Sequence, residues 1–179
     1  MKATGVVRRI DDLGRVVIPK EIRRTMRIRN GEPLEIYVDR EGEVILKKYA
    51  PISELGNYAQ EYADSLNEAL GHAVCIADRD EIIAVSGIAK KDLLRKGLSS
   101  ELEEVIASKK SILIDHDHGL DNDGRISVKN SAASPIVVNG EAIGAVIITS
   151  KEKTNLGDLE RKLADTAASF LAKQMGEKS

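Results

Sequence analysis

The chain has 179 residues and a mass of 19.5 kDa, with 42% apolar and 31% charged residues and a formal net charge of −2. That leaves room for one ordinary domain or two small ones, and it is the composition of a chain that folds rather than one that stays disordered. No apolar run approaches the roughly 20 residues of a membrane span, the single Cys75 allows no internal disulfide or cysteine-built zinc site, and with no Trp and one Phe the chain lacks stacking platforms for single-stranded nucleic acid. The opening Met1-Lys2-Ala3-Thr4-Gly5 has no apolar stretch of signal-peptide kind. A reducing cytoplasm is the expected location.

The net charge hides an asymmetry. Residues 1–50 carry 12 Lys/Arg against 8 Asp/Glu, and residues 51–179 carry 15 against 21. Within the first 29 residues the excess is 9 basic over 3 acidic. A basic head on an acidic body predicts two parts, one of them facing a polyanion.

In chain order, Thr4 to Ile10 reads as a strand, Asp11-Asp12-Leu13-Gly14 as a turn, and Arg15 to Ile18 as a second strand. Pro19 suits the start of a helix from Lys20 to about Arg27. After the Asn30-Gly31 turn, Leu34, Ile36 and Val38 alternate with polar residues as a half-buried strand. Glu41-Gly42 then turns the chain into a strand over Val44 to Tyr49. Fifty residues ordered β-β-α-β-β bury little core, so pairing with a second copy is expected.

Ala50-Pro51 is taken as the boundary, dividing a domain of residues 1–50 from one of residues 51–179. A helix is expected over Ile52 to Leu70, with Ser53 as N-cap and an apolar seam of Ile52, Leu55, Ala59, Tyr62, Leu66 and Ala69. Strands follow at Ala73–Ala77 and Ile82–Val85, and helices at Lys90–Leu94 and Ser100–Ser108, the latter with Ser100 and Glu103 at capping-box spacing. Ile112–Ile114 and Ile126–Val128 read as strands around a polar loop. Ala133–Val138 and Ala142–Thr149 flank Asn139-Gly140, a strong hairpin signal. A last helix spans Leu156 to Met175, with Leu156, Leu159, Leu163, Ala167, Phe170 and Leu171 on one side.

Lys20, Arg23, Arg24 and Arg27 fall at i, i+3, i+4 and i+7 and form one stripe on the short helix, opposite Ile22 and Met26. A solvated face normally mixes signs, and here only Glu21 is acidic. Arg8, Arg9, Arg15 and Lys2 add four more cations around the first hairpin. Arginine forks match phosphate oxygens and the guanine edge, so this placement points to nucleic acid.

The run Thr4 to Arg23 (TGVVRRIDDLGRVVIPKEIR), followed by Leu34-Glu35-Ile36-Tyr37-Val38, resembles the AbrB-type DNA-binding domain of bacterial transition-state regulators. The resemblance implies a swapped-hairpin β-barrel built by two interlocked chains that binds double-stranded DNA. The matching positions are Arg8, Arg15, Arg23 and Arg24, with Arg9, Lys2, Lys47 and Lys48 as further candidates. Head and long C-terminal part together resemble a sporulation transcription regulator. MazE-type antitoxins share the head fold but carry a tail that wraps a toxin, whereas residues 52–179 here read as a folded domain.

The order helix, β-β, helices, β, β-hairpin, helix resembles a GAF domain, which implies an α/β sandwich with a small-molecule pocket between sheet and loops. The fold class expected is therefore α+β: a dimeric AbrB-type barrel followed by a GAF-like sandwich, with the body joining dimers into a homotetramer. The ligand of such a pocket is left unnamed. Cys75 lies in an apolar strand and reads as a buried thiol. Asp115-His116-Asp117-His118 with Asp121 and Asp123 resembles a metal cluster, but no Glu stands at the twelfth position that a calcium loop requires, and it reads as a solvated loop. Three functions compete: a DNA-binding transcription regulator, a toxin-binding antitoxin, and a redox enzyme on the GAF-like scaffold. The first is the reading adopted, with no catalytic residue, no metal and no cofactor.

Overall fold

A computed structural model describes residues 5–49, 56–152 and 156–176. Lys2 and the segment carrying Ser53, Ile52 and Leu55 lie outside the described residues. Contacts divide the chain into two compact units, Met1–Tyr49 and Ala50–Ser179.

In the head, α1 (Lys20–Thr25) follows Pro19, whose φ of −57° suits a helix entry. The helix stops two residues before the expected end. Arg27 takes a left-handed φ of 53°, and Ile28 N–H reaches back to the Arg23 carbonyl at 2.7 Å, which closes the helix C-terminus. β1 (Leu34–Val38) and β2 (Val44–Lys48) pair antiparallel, with Leu34 opposite Lys48 and Val38 opposite Val44. Asp39 Oδ1 accepts N–H bonds from Glu41 and Glu43 and organises their turn. The two earlier strands expected around Asp11–Gly14 form no ladder within one chain. Only their turn is closed, by Asp11 N–H to the Arg15 carbonyl and Gly14 N–H to the Asp11 carbonyl. A strand needs a neighbour along its length, and among the described residues neither segment joins a β-ladder.

None of residues 5–49 is buried. Val7 is 85% exposed, Val38 73% exposed, and Ile10, Leu13 and Val17 are comparable.

The body elements are α2 (Gly56–Leu70), β3 (Ala73–Asp78), β4 (Ile82–Ser86), α3 (Lys90–Leu93), α4 (Ser100–Ser108), β5 (Ile112–Ile114), β6 (His118–Gly119), β7 (Ser127–Val128), β8 (Asn130–Val138), β9 (Glu141–Ser150) and α5 (Asp158–Gly176). Five strands form one antiparallel sheet ordered β4-β3-β9-β8-β5, and β6 pairs with β7 beside it. The β8–β9 hairpin turns at Asn139 (φ 50°) and Gly140 (φ 81°), the two positive values a primed turn demands. Pro135 is accommodated in β8 because β5 pairs only with Ser131–Ala133, leaving the strand unpaired on that side beyond them.

Both faces of the sheet are covered, which explains why β3 and β9 read as unbroken apolar runs. Val74, Ile76, Val146 and Ile148 point to one face, Cys75, Ala77, Ala145 and Ile147 to the other. On the first face α2 contributes Ala59 and Ala63, and α5 contributes Ala164, Ala167, Ala168 and Leu171. These small residues let both helices lie close to the strands. On the second face Leu93, Leu98, Leu102, Val105, Ile106 and Leu120 fill the space below α3, α4 and the loops.

Packing revises the two helix faces expected from spacing. Ala69 is exposed, and α2 turns Ala59, Tyr62, Ala63, Leu66 and Leu70 toward its own sheet. On α5, Leu159 and Phe170 are exposed while Ala164 and Ala168 are inside. The rings of Tyr62 and Phe170 stack at 5.1 Å, bridging the two helices. The N-cap of α4 is Ser99, one residue before the one expected, and its side chain makes no capping bond.

Polar pins fix the helices. Gln60 of α2 behaves as a strand toward the edge of β4: its Nε2 donates to the Val85 carbonyl at 3.0 Å and its Oε1 accepts the Val85 N–H at 3.3 Å. Asp165 of α5 accepts hydrogen bonds from Ser134 of β8, at 2.7 Å, and from Ser111. Gly87, at φ +73°, lies where a Cβ would stand 2.2 Å from the Asn67 amide nitrogen that holds the His72 carbonyl.

Asp78 ends β3, its Oδ1 accepting the N–H groups of Asp80 and Glu81, each at 2.8 Å. Burial raises its carboxyl above the ordinary value, against those two bonds. The folded state therefore holds the Asp78 proton more tightly than the unfolded chain, and stability from this group fades as pH rises through the folded pKa. Asp78→Asn keeps the acceptor oxygen. It should raise the chemical-denaturation midpoint of the body at pH 7, with the gain shrinking toward pH 3. A lower midpoint at pH 7 would mean that the turn needs the charge.

Candidate nucleic-acid interface

The cations of the head fall into groups by what holds them. α1 carries Lys20 and Arg24 exposed, with Arg23 half-buried on the next step of the same face. Arg27 leaves the stripe because the helix closes before it. Arg8 and Arg9 are exposed ahead of the turn, and Arg8 donates to the Val7 carbonyl at 3.2 Å.

Arg15 stands on the far side of the turn, and its Nε donates to Asp11 Oδ2 at 2.8 Å. Backbone and side-chain bonds from Arg15 hold the Asp11 carboxyl below its ordinary range, so it is ionised throughout the neutral region. Arg23 donates from Nη1 to Asn30 Oδ1 at 2.5 Å, and its Nε is buried without a partner. Lys47 lies over the Tyr37 ring at 4.6 Å, and Lys48 is half-buried 3.4 Å from Glu32. Both β2 lysines are thus already engaged within the chain. Asp11 and Asn30, which touch two of the candidate arginines, were not singled out from sequence, although Asp11 and Arg15 stand at i, i+4.

In the body, the polar loop after β5 disperses instead of converging. His116 lies 3.3 Å from Glu101, and Asp117 pairs with Lys129. His118 is buried, its Nδ1 against the His116 carbonyl and its Nε2 against Ser131 Oγ, both at 2.8 Å. Asp121 accepts the N–H groups of Arg125 and Ile126, and Asp123 faces Lys96 and Arg125. Among the described residues no three of these groups meet in a metal-binding arrangement.

An open cavity of about 460 Å³ lies at the start of α4, lined by residues such as Ser99, Glu101, Glu103, Gly119 and Asn122. Cys75 is buried and burial alone pushes its thiol up to about 12. No helix among the described residues is long and apolar enough to cross a membrane.

A basic hairpin-and-helix head followed by a five-stranded GAF-like sandwich defines a DNA-binding transcription regulator of two-domain type. Solved structures support the body's fold. The second GAF domain of DevS from Mycobacterium smegmatis matches with a TM-score of 0.57 at 10% identity, over 68% of this chain and 93% of that one. A free methionine-R-sulfoxide reductase from Neisseria meningitidis matches with a TM-score of 0.56 at 14% identity, over 70% and 81%. At such identities the likeness is one of fold alone.

Sequence relatives narrow the class. Residues 54–176 match the family described as stage V sporulation protein T C-terminal, transcription factor, and residues 7–54 match the MazE antitoxin family. Stage V sporulation protein T of Bacillus subtilis is 58% identical over 98% of this chain and 99% of its own length. The transition state regulatory protein AbrB of the same organism is 63% identical over 51 residues, which are 28% of this chain and 52% of AbrB. The chain belongs to the stage V sporulation protein T family.

The thiol geometry is directly testable. In the native chain at pH 8, Cys75 should stay unmodified by a small maleimide while the same chain in denaturant labels within minutes. Fast labelling of the native chain would place Cys75 at an accessible surface.

Proposed function

We propose that the head binds double-stranded DNA as a homodimer through Arg8, Arg15, Arg23 and Arg24, with Arg9, Lys2, Lys47 and Lys48 in support. The observation that carries this is the combination in residues 5–49 of no buried residue and the exposed Arg8, Arg9, Arg15 and Arg24. A folded unit needs a core, and a second copy supplies one by covering Val7, Ile10, Val17 and Val38. Interlocking would also provide the missing neighbours for the two strands around Asp11–Gly14. The MazE match covers residues 7–54, and after it residues 56–152 and 156–176 belong to a packed body, not to an extended toxin-wrapping segment. Catalysis through Cys75 is disfavoured by its protonated, buried thiol. The setting is cytoplasmic.

Duplex binding by the full chain should be strongly salt-dependent. If Arg8, Arg23 and Arg24 in each of two copies neutralise about 6 phosphates, log affinity falls against log salt with a slope near −5. Arg24→Ala should flatten that slope by about 2, both copies being lost. Salt-independent binding, or an unchanged slope in the variant, contradicts the reading.

The body is proposed to join two head dimers into a homotetramer. The inner face of α2 is committed to its own sheet, so the surfaces for a second body are the outward apolar side chains Tyr58, Leu159 and Phe170. Linking two DNA-binding dimers raises affinity for paired sites through effective concentration. A small molecule in the cavity at α4 would act only by binding one arrangement of the heads better than another. Light scattering should give a tetramer for the full chain and a dimer for Tyr58→Glu with Leu159→Glu. A wild-type dimer, or a double variant that remains tetrameric, rules these surfaces out.

A further inference from the structure

The turn at Asp11–Gly14 does more than reverse the chain. Asp11 holds Arg15 at three points. Its amide N–H donates to the Arg15 carbonyl at 3.1 Å, its Oδ1 accepts the Arg15 N–H at 2.8 Å, and its Oδ2 accepts Arg15 Nε at 2.8 Å. The same Oδ1 accepts the Leu13 N–H at 2.9 Å, and Gly14 at φ +75° lets the loop close. One carboxylate thus fixes the backbone of Arg15 and the root of its guanidinium together.

Stability does not account for such a pair. The two side chains are 70% and 44% exposed, and ion pairs in water contribute little. An acid beside a DNA-facing surface also repels phosphate. It is useful there if it aims something.

With Nε occupied by Asp11, the Nη1/Nη2 end of the fork remains open and faces away from the carboxylate. That end presents two parallel N–H donors, the pattern that matches O6 and N7 of guanine in the major groove. Arg23 is held differently: Nη1 is committed to Asn30 and Nε is buried, which leaves Nη2 to reach outward in a single-point contact. Arg24 is exposed and, among the described residues, has no side chain fixing its direction, which suits a phosphate whose position varies little with sequence.

We infer that Asp11 is a positioning residue that presents Arg15 as the base-reading arginine of each head, while Arg23 and Arg24 anchor the backbone. This rests on the DNA-binding reading above and assigns separate roles within it.

Asp11→Asn separates turn from aim. The Asn oxygen still accepts the Leu13 and Arg15 N–H bonds, whereas its NH2 replaces the oxygen facing Nε. The full chain would be measured against a duplex it selects from a random pool and against a shuffled duplex of equal length. The expected result is a fall of about tenfold or more in the ratio of the two affinities, the scale of one lost bidentate contact. Affinity for the shuffled duplex should hold or rise, because a negative charge is gone. Arg15→Lys should lower the ratio similarly, and adding Asp11→Asn to it should change the ratio no further. Arg24→Ala should weaken both duplexes alike.

An unchanged ratio in Asp11→Asn, or an equal rise on both duplexes, overturns the inference while leaving DNA binding intact. If Asp11→Asn unfolds the head by circular dichroism, Arg15→Lys decides: an unchanged ratio there overturns it as well. Wild-type chain that binds neither duplex removes the DNA-binding reading itself.

Discussion

The head cannot bury its own apolar residues, and most of what is distinctive about the chain follows from that. The described head, residues 5–49 with one short helix and one closed hairpin, has too much surface for its volume. Val7, Ile10, Val17 and Val38 are left in water in the isolated chain, and with no cysteine in residues 1–50 no disulfide can substitute for a core. Association is the physical remedy that remains. In the dimer proposed above, association would also double every arginine of the head and give the basic surface a two-fold character, so that one arrangement would answer both the packing problem and the meeting with a duplex.

The body solves its own packing differently. Its sheet has helices on one face and helices and loops on the other, so consecutive residues of β3 and β9 are buried in opposite directions. Alanines on α2 and α5 allow close approach, and Gln60 and Asp165 supply the specific hydrogen bonds that fix where each helix lies. On the face where the ligand pocket of a GAF-like domain is expected, Leu98, Leu102, Leu120 and Ile147 pack into the core, and an open cavity lies at the start of α4. The same sandwich serves enzymes and sensors elsewhere. What a member does depends on the side chains at its sites, and in this chain the one thiol lies inside the sheet with its proton firmly held.

Charge in the head is arranged by partners as much as by count. Arg15 and Arg23 lie close in sequence, yet one is gripped at Nε by a carboxylate and the other at Nη1 by an amide. The two forks therefore offer different donors to a ligand. Lys47 and Lys48 add to the basic count equally, but one rests on Tyr37 and the other on Glu32. A tally of cations cannot express these differences, because they arise from which neighbour each long side chain meets.

Much was legible from the chain alone. Local signals decided the β1–β2 hairpin, the Asn139-Gly140 turn, the apolar strands of the sheet and the existence of each body helix, because turn chemistry and periodicity act over a few residues. The basic stripe was legible for the same reason, since 100° per residue places Lys20, Arg23 and Arg24 together on any helix, and the motif from Thr4 to Arg23 carried the family. What spacing could not decide was which of two apolar stripes a helix buries. Ala63 and Ala164 lie inside and Ala69 and Leu159 outside because of the sheet beneath them. Nor could it show that α1 ends at Thr25, which depends on Arg27 adopting a left-handed conformation. The dispersal of the Asp115–Asp123 loop required the positions of Lys129, Ser131 and Lys96, up to 27 residues away in sequence. The grip of Asp11 on Arg15 had a hint in its i, i+4 spacing, but that spacing means a helical pair in one backbone and a clamped turn in another. Only the closed turn, with Gly14 at positive φ, brings the carboxylate to Nε.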